Sequence, residues 1–337
     1  MPFCTCPCFC QKTRKRRANP DTSRSSIMAS PARIDTHQHL IPPTYRKLLD
    51  ERGLTAGGWP TPDWDPQAAI AMMDRESIAT GILSLSAPGV HLADDAQGRT
   101  LARQVNEYHA ELVKGRPDRF GQFACIPLPD VDGAVAEAVH ALDVLHADGV
   151  VLLSNAGGKY LGDPDYETLW AELDARSAVV FIHPTEPPIQ MLKGLPSPLL
   201  DYPFDTTRTA IHMVANGVMS RRKRIRVILS HGGGFLPYAA YRFVGAAQFN
   251  PGTTPEGIMA DMKRFYFDTA LSSTPAALPS LLAFANPTHI TFGSDFPFAP
   301  SSHQFNAALD AYPLDENQRY AINRGNAEKL FPRLAAS

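Results

Sequence analysis

The sequence predicts a closed (β/α)8 barrel of the TIM type, preceded by a disordered N-terminal extension. Short apolar runs alternate with longer amphipathic segments over about 300 residues, which is typical of parallel α/β folds. The chain has 337 residues, of which 44% are hydrophobic and 20% charged, so it can form one large domain with a sizeable core. A doubly wound open sheet is the alternative, but no G-x-G-x-x-G motif follows any predicted strand.

The eight predicted strands are short runs, most of them rich in β-branched or aromatic residues and too short to be helices. In chain order they are expected at Arg33–His39, Thr80–Ser86, Phe120–Pro127, Gly149–Ser154, Val179–His183, Arg226–His231, Phe265–Thr269 and Ile290–Asp295. Eight such strands are the number that a closed barrel of this type requires.

Several of the intervening helices have start signals, namely an aspartate before the helix and, in two of the three, a proline directly after that aspartate. The predicted starts are Asp65-Pro66 before Gln67–Glu76, Asp132 before Ala134–His146, and Asp163-Pro164 before the segment with Leu169, Trp170 and Leu173. Two connections, Gly53–Asp63 and Pro184–Asp205, are longer than is usual between a strand and a helix. We expect these two loops to cover the substrate.

Residues 1–30 are expected to form the extension and residues 31–337 the barrel. The extension has six basic residues against one acidic residue and shows no apolar periodicity. Its alternating cysteines, Cys4, Cys6, Cys8 and Cys10, lack the C-x2-C spacing of zinc knuckles. Acylation of these cysteines beside the basic run would make a membrane address. We favour a third interpretation, in which Met28 is the true start and the upstream residues are dispensable.

Charge, hydropathy and cysteine content argue against several classes of protein. The formal net charge of −2 is unlike that of a dedicated nucleic-acid-binding protein. Because no run approaches about 20 apolar residues, no transmembrane helix is expected. Cys125 is the lone cysteine of the predicted barrel, so we expect no disulfide framework and a cytoplasmic location.

Polar side chains that can bind a metal or transfer a proton occur where the predicted strands end. His37 and His39 alternate along the first strand, so both imidazoles face the barrel interior. The other candidates end the fifth, sixth and eighth strands, and are His183, His231 and Asp295. Each alone could be an ordinary strand cap or turn residue. Together, at the carboxyl ends where these barrels place their chemistry, they predict a nitrogen/oxygen site for one divalent ion.

Four separated motifs, in the same order, resemble those of the amidohydrolase superfamily. They are Asp35-Thr36-His37-Gln38-His39, Phe181-Ile182-His183-Pro184, Ser230-His231-Gly232-Gly233-Gly234 and Phe292-Gly293-Ser294-Asp295-Phe296-Pro297. Within it, they are most similar to the branch containing α-amino-β-carboxymuconate-ε-semialdehyde decarboxylase and related aromatic-acid decarboxylases. The resemblance implies that His37, His39, His183 and Asp295 bind one divalent metal, with Zn²⁺ expected and Mn²⁺ the alternative. It also implies that His231 is an acid/base residue.

Individual residues indicate which properties of this family to expect in this chain. Binuclear members carry a carbamylated lysine at the end of strand four, but here that strand ends in Leu153-Ser154-Asn155, which implies a mononuclear site. Arg242 matches an arginine that enters the neighbouring subunit's site, which implies a homodimer. The segment before Trp64 lacks the second carboxylate-binding arginine of the semialdehyde decarboxylase. We therefore expect an aromatic monocarboxylate to bind beside Trp59 and Trp64, and the alternative is that these tryptophans only pack within their loop.

The resemblance implies non-oxidative decarboxylation of a salicylate-type acid, and 6-methylsalicylate, giving 3-methylphenol and CO₂, is the substrate we expect. The metal would hold the carboxylate and the ortho hydroxyl, and either Asp295 or His231 would deliver the proton. The alternative is a metal-dependent hydrolase of a lactone or cyclic amide, which would use the same ligands. A non-enzymatic binding protein is the third possibility, which the full set of candidate ligands argues against.

Overall fold

The structure is a computed structural model that describes residues 32–299 and 302–335, so the predicted extension lies outside the described residues. Its centre is a barrel of eight parallel strands, which confirms the predicted fold class. The strands are β1 Arg33–His39, β2 Ile78–Ser84, β3 Phe120–Cys125, β4 Gly149–Leu153, β5 Val179–His183, β6 Arg226–Leu229, β7 Tyr266–Asp268 and β8 Ile290–Thr291. A small antiparallel hairpin, Asn155–Ala156 with Lys159–Tyr160, follows β4.

The strand order in the sheet follows the chain order, and each strand pairs in parallel with the next. The first and last strands meet through parallel bridges between Asp35 and Phe292 and between Gln38 and Phe296. Backbone hydrogen bonds reinforce this seam, including one from the amide of Asp295 to the carbonyl of His37 at 2.8 Å. The seam therefore brings the end of β1 beside the residues that follow β8.

Helices surround the barrel, and their bounds are α1 Pro43–Arg52, α2 Pro66–Arg75, α3 Asp95–Gly115, α4 Val131–Asp143, α5 Glu167–Ala175, α6 Ser197–Ala215, α7 Val218–Arg221, α8 Leu236–Phe243, α9 Pro255–Met262, α10 Leu278–Phe284, α11 Ser302–Ala311, α12 Glu316–Tyr320 and α13 Asn326–Leu330. Asp65 caps α2 as predicted, with its side chain accepting a hydrogen bond from the amide of Ala68. Within the described residues, no helix is both long and apolar enough to cross a membrane.

Two expectations about helix starts were wrong. Asp130, not Asp132, caps α4, because its carboxylate accepts the amide hydrogen of Gly133 three residues on. The second long connection ends at Pro196, since α6 begins at Ser197. This helix was not predicted because it contains two prolines. One lies in the first turn, where no amide donor is needed, and Pro203 lies in the interior of the helix.

Alternate residues of the strands fill two separate layers of the core. Inside the barrel, Phe123 of β3 stacks on Phe181 of β5 with ring centroids 5.4 Å apart, and Phe331 closes against Phe123. The neighbours of Phe181 along β5, Val180 and Ile182, face outward and pack among the helices. This period-two alternation puts apolar side chains below the carboxyl ends of the strands and leaves those ends for polar groups.

The two strands that precede His231 and Asp295 end earlier than predicted. β6 ends at Leu229 and β8 at Thr291, so His231 and Asp295 lie outside these strands. Both have left-handed backbone, with φ of 53° and 61°. A strand cannot continue through such residues, because extended backbone needs negative φ. The chain turns at each of them and directs their side chains over the barrel mouth.

Candidate active site

Four side chains meet at the carboxyl end of the barrel in an arrangement that suits one divalent metal ion. His37 and His39 come from the end of β1, His183 ends β5, and Asp295 follows β8. All four are buried, and one nitrogen or oxygen of each lies within 4.8 Å of the others. The structure thus brings together the four residues that the sequence proposed as ligands.

The hydrogen bonds of the histidines leave their Nε2 atoms facing this cluster. His183 Nδ1 donates to the carbonyl of Pro184 at 2.8 Å, and since a carbonyl can only accept, that nitrogen carries the proton. His39 Nδ1 lies 3.2 Å from the carbonyl of Ser84 and 3.0 Å from its hydroxyl. Outer bonds of this kind fix the tautomer and the ring orientation of metal-binding histidines.

The Nε2 atom of His37 supports the fit to a cation. It is buried and makes no hydrogen bond within the described residues, although Asp295 Oδ1 lies 3.2 Å away. The same oxygen is 3.1 Å from Nε2 of His39. A buried imidazole nitrogen without a partner is costly unless something else binds it. A metal ion among three imidazoles and a carboxylate would satisfy it.

Burial and charge set the protonation of the cluster. Burial, with the neighbouring imidazoles, lowers the pKa of His183 well below its ordinary value, and burial also lowers the pKa of His39. Burial opposes charge on His37 as well, but Asp268 and Asp295 raise its pKa to about 10. Two buried carboxylates therefore favour a positive charge at this point, and neutral His39 and His183 can act as ligands.

His231 lies beside the cluster without being one of its four members. Its ring centroid is 4.8 Å from that of His37, and its Nε2 is 3.4 Å from Asp295 Oδ2. The three glycines that follow all have positive φ. A Cβ on Gly234 would collide with the carbonyl oxygen of Pro203, so the close approach of this turn to α6 requires glycine. The turn fixes His231 at the edge of the cavity.

A cavity of about 660 Å³ opens above the cluster, and His183, His231 and Asp295 form part of its wall. The remainder is mainly apolar and aromatic, including Trp59, Leu199, Tyr202, Phe235, Leu281, Phe298 and Phe305. In the part of the chain that the structure describes, no lysine or arginine lines this cavity. Such a space fits an apolar ring whose polar groups point toward the buried histidines and carboxylate.

Two of the proposed substrate contacts are not placed in this cavity. Trp59 lines it, but Trp64 instead packs, half-buried, against the core. Arg242 is exposed on α8 and does not line the cavity of its own chain. The lysine nearest strand four in sequence, Lys159, pairs with Asp165 and is not among the four clustered residues.

The structure also shows site residues that the sequence analysis missed. Asp268 ends β7 and hydrogen-bonds to His37 Nδ1 at 2.8 Å. Asp35 accepts hydrogen bonds from the hydroxyl and the amide of Ser294, which holds the turn that carries Asp295. The signal for Asp268 was present, because it is a polar residue at the end of a predicted strand. Asp35 lies on β1 before the histidines, and only its partner across the barrel seam reveals its role.

Comparison with known proteins also supports the predicted family. The amidohydrolase family profile matches residues 34–333. Over 322 residues the chain is 40% identical to decarboxylase yanB of Aspergillus niger, which spans 89% of this chain and 88% of that protein. It is 38% identical over 314 residues to a 6-methylsalicylic acid decarboxylase of Penicillium expansum, with 90% and 97% covered. The crystal structure of 2,6-dihydroxybenzoate decarboxylase with 2,6-dihydroxybenzoate is similar at a TM-score of 0.78 and 25% identity, over 90% of this chain and 99% of that one.

Proposed function

Because this chain belongs to the amidohydrolase family, we propose that it is a metal-dependent decarboxylase that converts 6-methylsalicylate to 3-methylphenol and CO₂. The main support for this proposal is that three buried histidines and a carboxylate meet under an apolar cavity, with a fourth histidine at its edge. The relatives at 38–40% identity include decarboxylases of 6-methylsalicylic acid. The reaction class is that of a carbon–carbon lyase.

The proposed ligands are His37, His39, His183 and Asp295, which would hold one divalent ion. Three imidazoles and one carboxylate suit Zn²⁺, our first choice, and also Mn²⁺. When bound, the ion would supply Lewis-acid chemistry at the oxygens of the substrate and draw negative charge from them.

The protein's own part is to deliver a proton to the ring. His231 is the proposed donor, because its side chain faces the cavity and is not needed as a ligand. The proton bonds to the ring carbon that carries the carboxylate, which interrupts the aromatic system. The bond from that carbon to the carboxylate then breaks, its electron pair restores the ring, and CO₂ leaves. Asp295 Oδ2, 3.4 Å from Nε2 of His231, orients the imidazole for this transfer.

The cavity wall supports a substrate with one carboxylate and apolar substituents. Among the described residues, no cationic side chain lines the cavity, so a second carboxylate would lose its hydration without gaining a partner from them. Aromatic and aliphatic groups such as Trp59, Tyr202 and Phe298 can instead pack against a methylated ring.

Product analysis tests the proposal against the hydrolase alternative. Metal-loaded protein would be incubated separately with 6-methylsalicylate, salicylate, orsellinate and small lactones. We expect CO₂ and 3-methylphenol in equal amounts from 6-methylsalicylate. Ring opening of a lactone without any CO₂ from the ortho-hydroxy acids would instead identify a hydrolase.

The homodimer remains a proposal, with Arg242 reaching the partner subunit's cavity. Arg242 has no ion pair within the described residues, and Tyr238, Tyr241 and Phe249 near it on the chain are almost fully exposed. Large aromatic residues are enriched in protein interfaces relative to the rest of the surface. The partner's Arg242 would then contact the one carboxylate of the substrate, and a second carboxylate would still have no cationic partner among the residues that line the cavity.

Mixed dimers test this arrangement. We expect Arg242→Ala and His183→Ala chains to be nearly inactive alone, and co-expression to restore about a quarter of the wild-type activity, because half of randomly paired dimers contain one complete site. The recovered activity should elute with the dimer in size-exclusion chromatography. If the mixture stays as inactive as the separate variants, Arg242 acts within its own chain or not at all.

We also propose that the domain boundary lies between residues 30 and 31. A chain that begins at Met28 is expected to keep its metal content and its rate of CO₂ release, because the first residue of the site is in β1, which begins at Arg33. Metal analysis and turnover of the shortened and full-length proteins, side by side, provide the check. Loss of either property would make the extension a working part of the enzyme.

A further inference from the structure

Asp268 is a buried carboxylate that contacts both the predicted metal cluster and the turn of the proposed proton donor. It is the last residue of β7 and is fully buried. It is not one of the four clustered residues, and it does not line the cavity. Its two oxygens have different partners, so its role can be divided into two contacts.

The first contact fixes the ring of His37. Asp268 Oδ2 lies 2.8 Å from His37 Nδ1, and both side chains are completely buried. An ionised carboxylate can only accept a hydrogen bond, so His37 Nδ1 must carry the proton. When His37 is neutral, as a metal ligand must be, its lone pair is then on Nε2, the atom that faces Asp295 and has no hydrogen-bond partner among the described residues.

The second contact fixes the backbone that carries His231. Asp268 Oδ1 accepts hydrogen bonds from the amide of His231 at 2.9 Å and from the amide of Ala270 at 3.0 Å. The bond to Ala270 is a local turn contact of a common kind. The bond to His231 joins β7 to a residue 37 positions earlier, in the turn after β6, at the start of its left-handed conformation.

We propose that Asp268 is a positioning residue that sets the metal-facing nitrogen of His37 and the location of His231 at the same time. This inference rests on the proposed function, because it assigns His37 to the metal and His231 to the proton. One rigid carboxylate would thus hold the metal site and the proton donor in a constant relation. A carboxylate with a purely structural role would stabilise the barrel without any effect on metal affinity.

Asp268→Asn separates the two contacts. The amide oxygen can still accept from the backbone of His231, but the amide NH₂ would face His37 Nδ1. That arrangement requires a lone pair on Nδ1 and moves the proton to Nε2, the atom needed by the metal. We expect the dissociation constant for Zn²⁺ or Mn²⁺ to rise about 10- to 100-fold. Competition against a chromophoric chelator measures this without any substrate.

Asp268→Ala removes both contacts and supplies the second comparison. At saturating metal, Asp268→Asn should recover most of its turnover number because His231 is still held. Asp268→Ala should not recover it under the same conditions. Equal turnover numbers for the two variants at saturating metal would overturn the proposed link to His231.

Asp130→Asn is the matched control. Asp130 is also largely buried, caps α4 and pairs with Arg99, away from the cluster. It should lower the midpoint of thermal unfolding and leave metal affinity unchanged. If Asp268→Asn behaves in the same way, with wild-type metal affinity, Asp268 has a structural role only.

A spectroscopic measurement on the unaltered protein covers the case in which the variants do not fold. With ¹⁵N-labelled histidine, the ring nitrogens of metal-bound His37 should show a protonated Nδ1 and a metal-bound Nε2. Metal bound through Nδ1 would overturn the proposal directly. A wild-type protein that binds metal in this way but releases no CO₂ would refute only the proposed reaction, so the two failures are distinguishable.

Discussion

His183→Ala is expected to remove both the bound metal and the turnover of the enzyme. The imidazole of His183 is buried, its Nδ1 is held by the carbonyl of Pro184, and its ring centroid is 4.7 Å from that of His39. Alanine at this position leaves three of the four ligands. The strand ends are held by the barrel, so they cannot move together to fill the space that the imidazole leaves. Since loss of an outer partner alone costs about 10- to 100-fold in metal affinity, loss of a ligand should cost more than about 100-fold.

Metal content after gel filtration and the rate of CO₂ release from 6-methylsalicylate measure this effect. His303→Ala is the control, because His303 is an exposed histidine at the start of α11, outside the cluster. The control variant should keep one metal ion per chain and wild-type turnover. Full activity in His183→Ala would remove this residue from the ligand set.

His231→Asn is expected to lower kcat by about 10²- to 10⁴-fold, the usual contribution of a general acid. Asparagine is chosen because His231 has φ of 53°, a conformation that asparagine tolerates better than most residues. The four clustered ligands stay intact, so metal content should remain at one ion per chain. Steady-state kinetics with excess metal, together with metal analysis, separate this result from that of His183→Ala.

The outcome for His231→Asn also decides between the two proton donors. If Asp295 delivers the proton, the variant should keep a kcat within about tenfold of the wild-type value, below the usual contribution of a general acid. Retention of metal with loss of turnover favours His231. Loss of metal as well would mean that His231 acts as a ligand.

The barrel and much of the candidate site could be predicted because they depend on local, periodic signals. Alternation along β1 put His37 and His39 on the inner face, and the pairing of β1 with β8 placed Asp295 beside them. The end of β5 at His183 coincides with the end of an apolar run. These relations need only the strand period and the closure of the barrel.

Other features depend on contacts between residues far apart in the chain, which a local pattern does not contain. The role of Asp268 follows from its hydrogen bonds to His37, which is 231 positions earlier in the chain, and to His231, which is 37 positions earlier. The packing of Trp64 against the core, where a substrate contact was predicted, depends on how the loop before α2 folds back. α6 escaped prediction because its prolines favour a loop when only neighbouring residues are considered.

We propose that one metal ion at the four clustered residues enables decarboxylation, and a metal titration tests this claim most directly. Metal-free protein would receive Zn²⁺ or Mn²⁺ in fractions of an equivalent, and the rate of CO₂ release from 6-methylsalicylate would be recorded at each addition. We expect no release without metal, a linear rise, and a plateau at one ion per chain. CO₂ release by the metal-free protein, or none at any metal content, would contradict the claim.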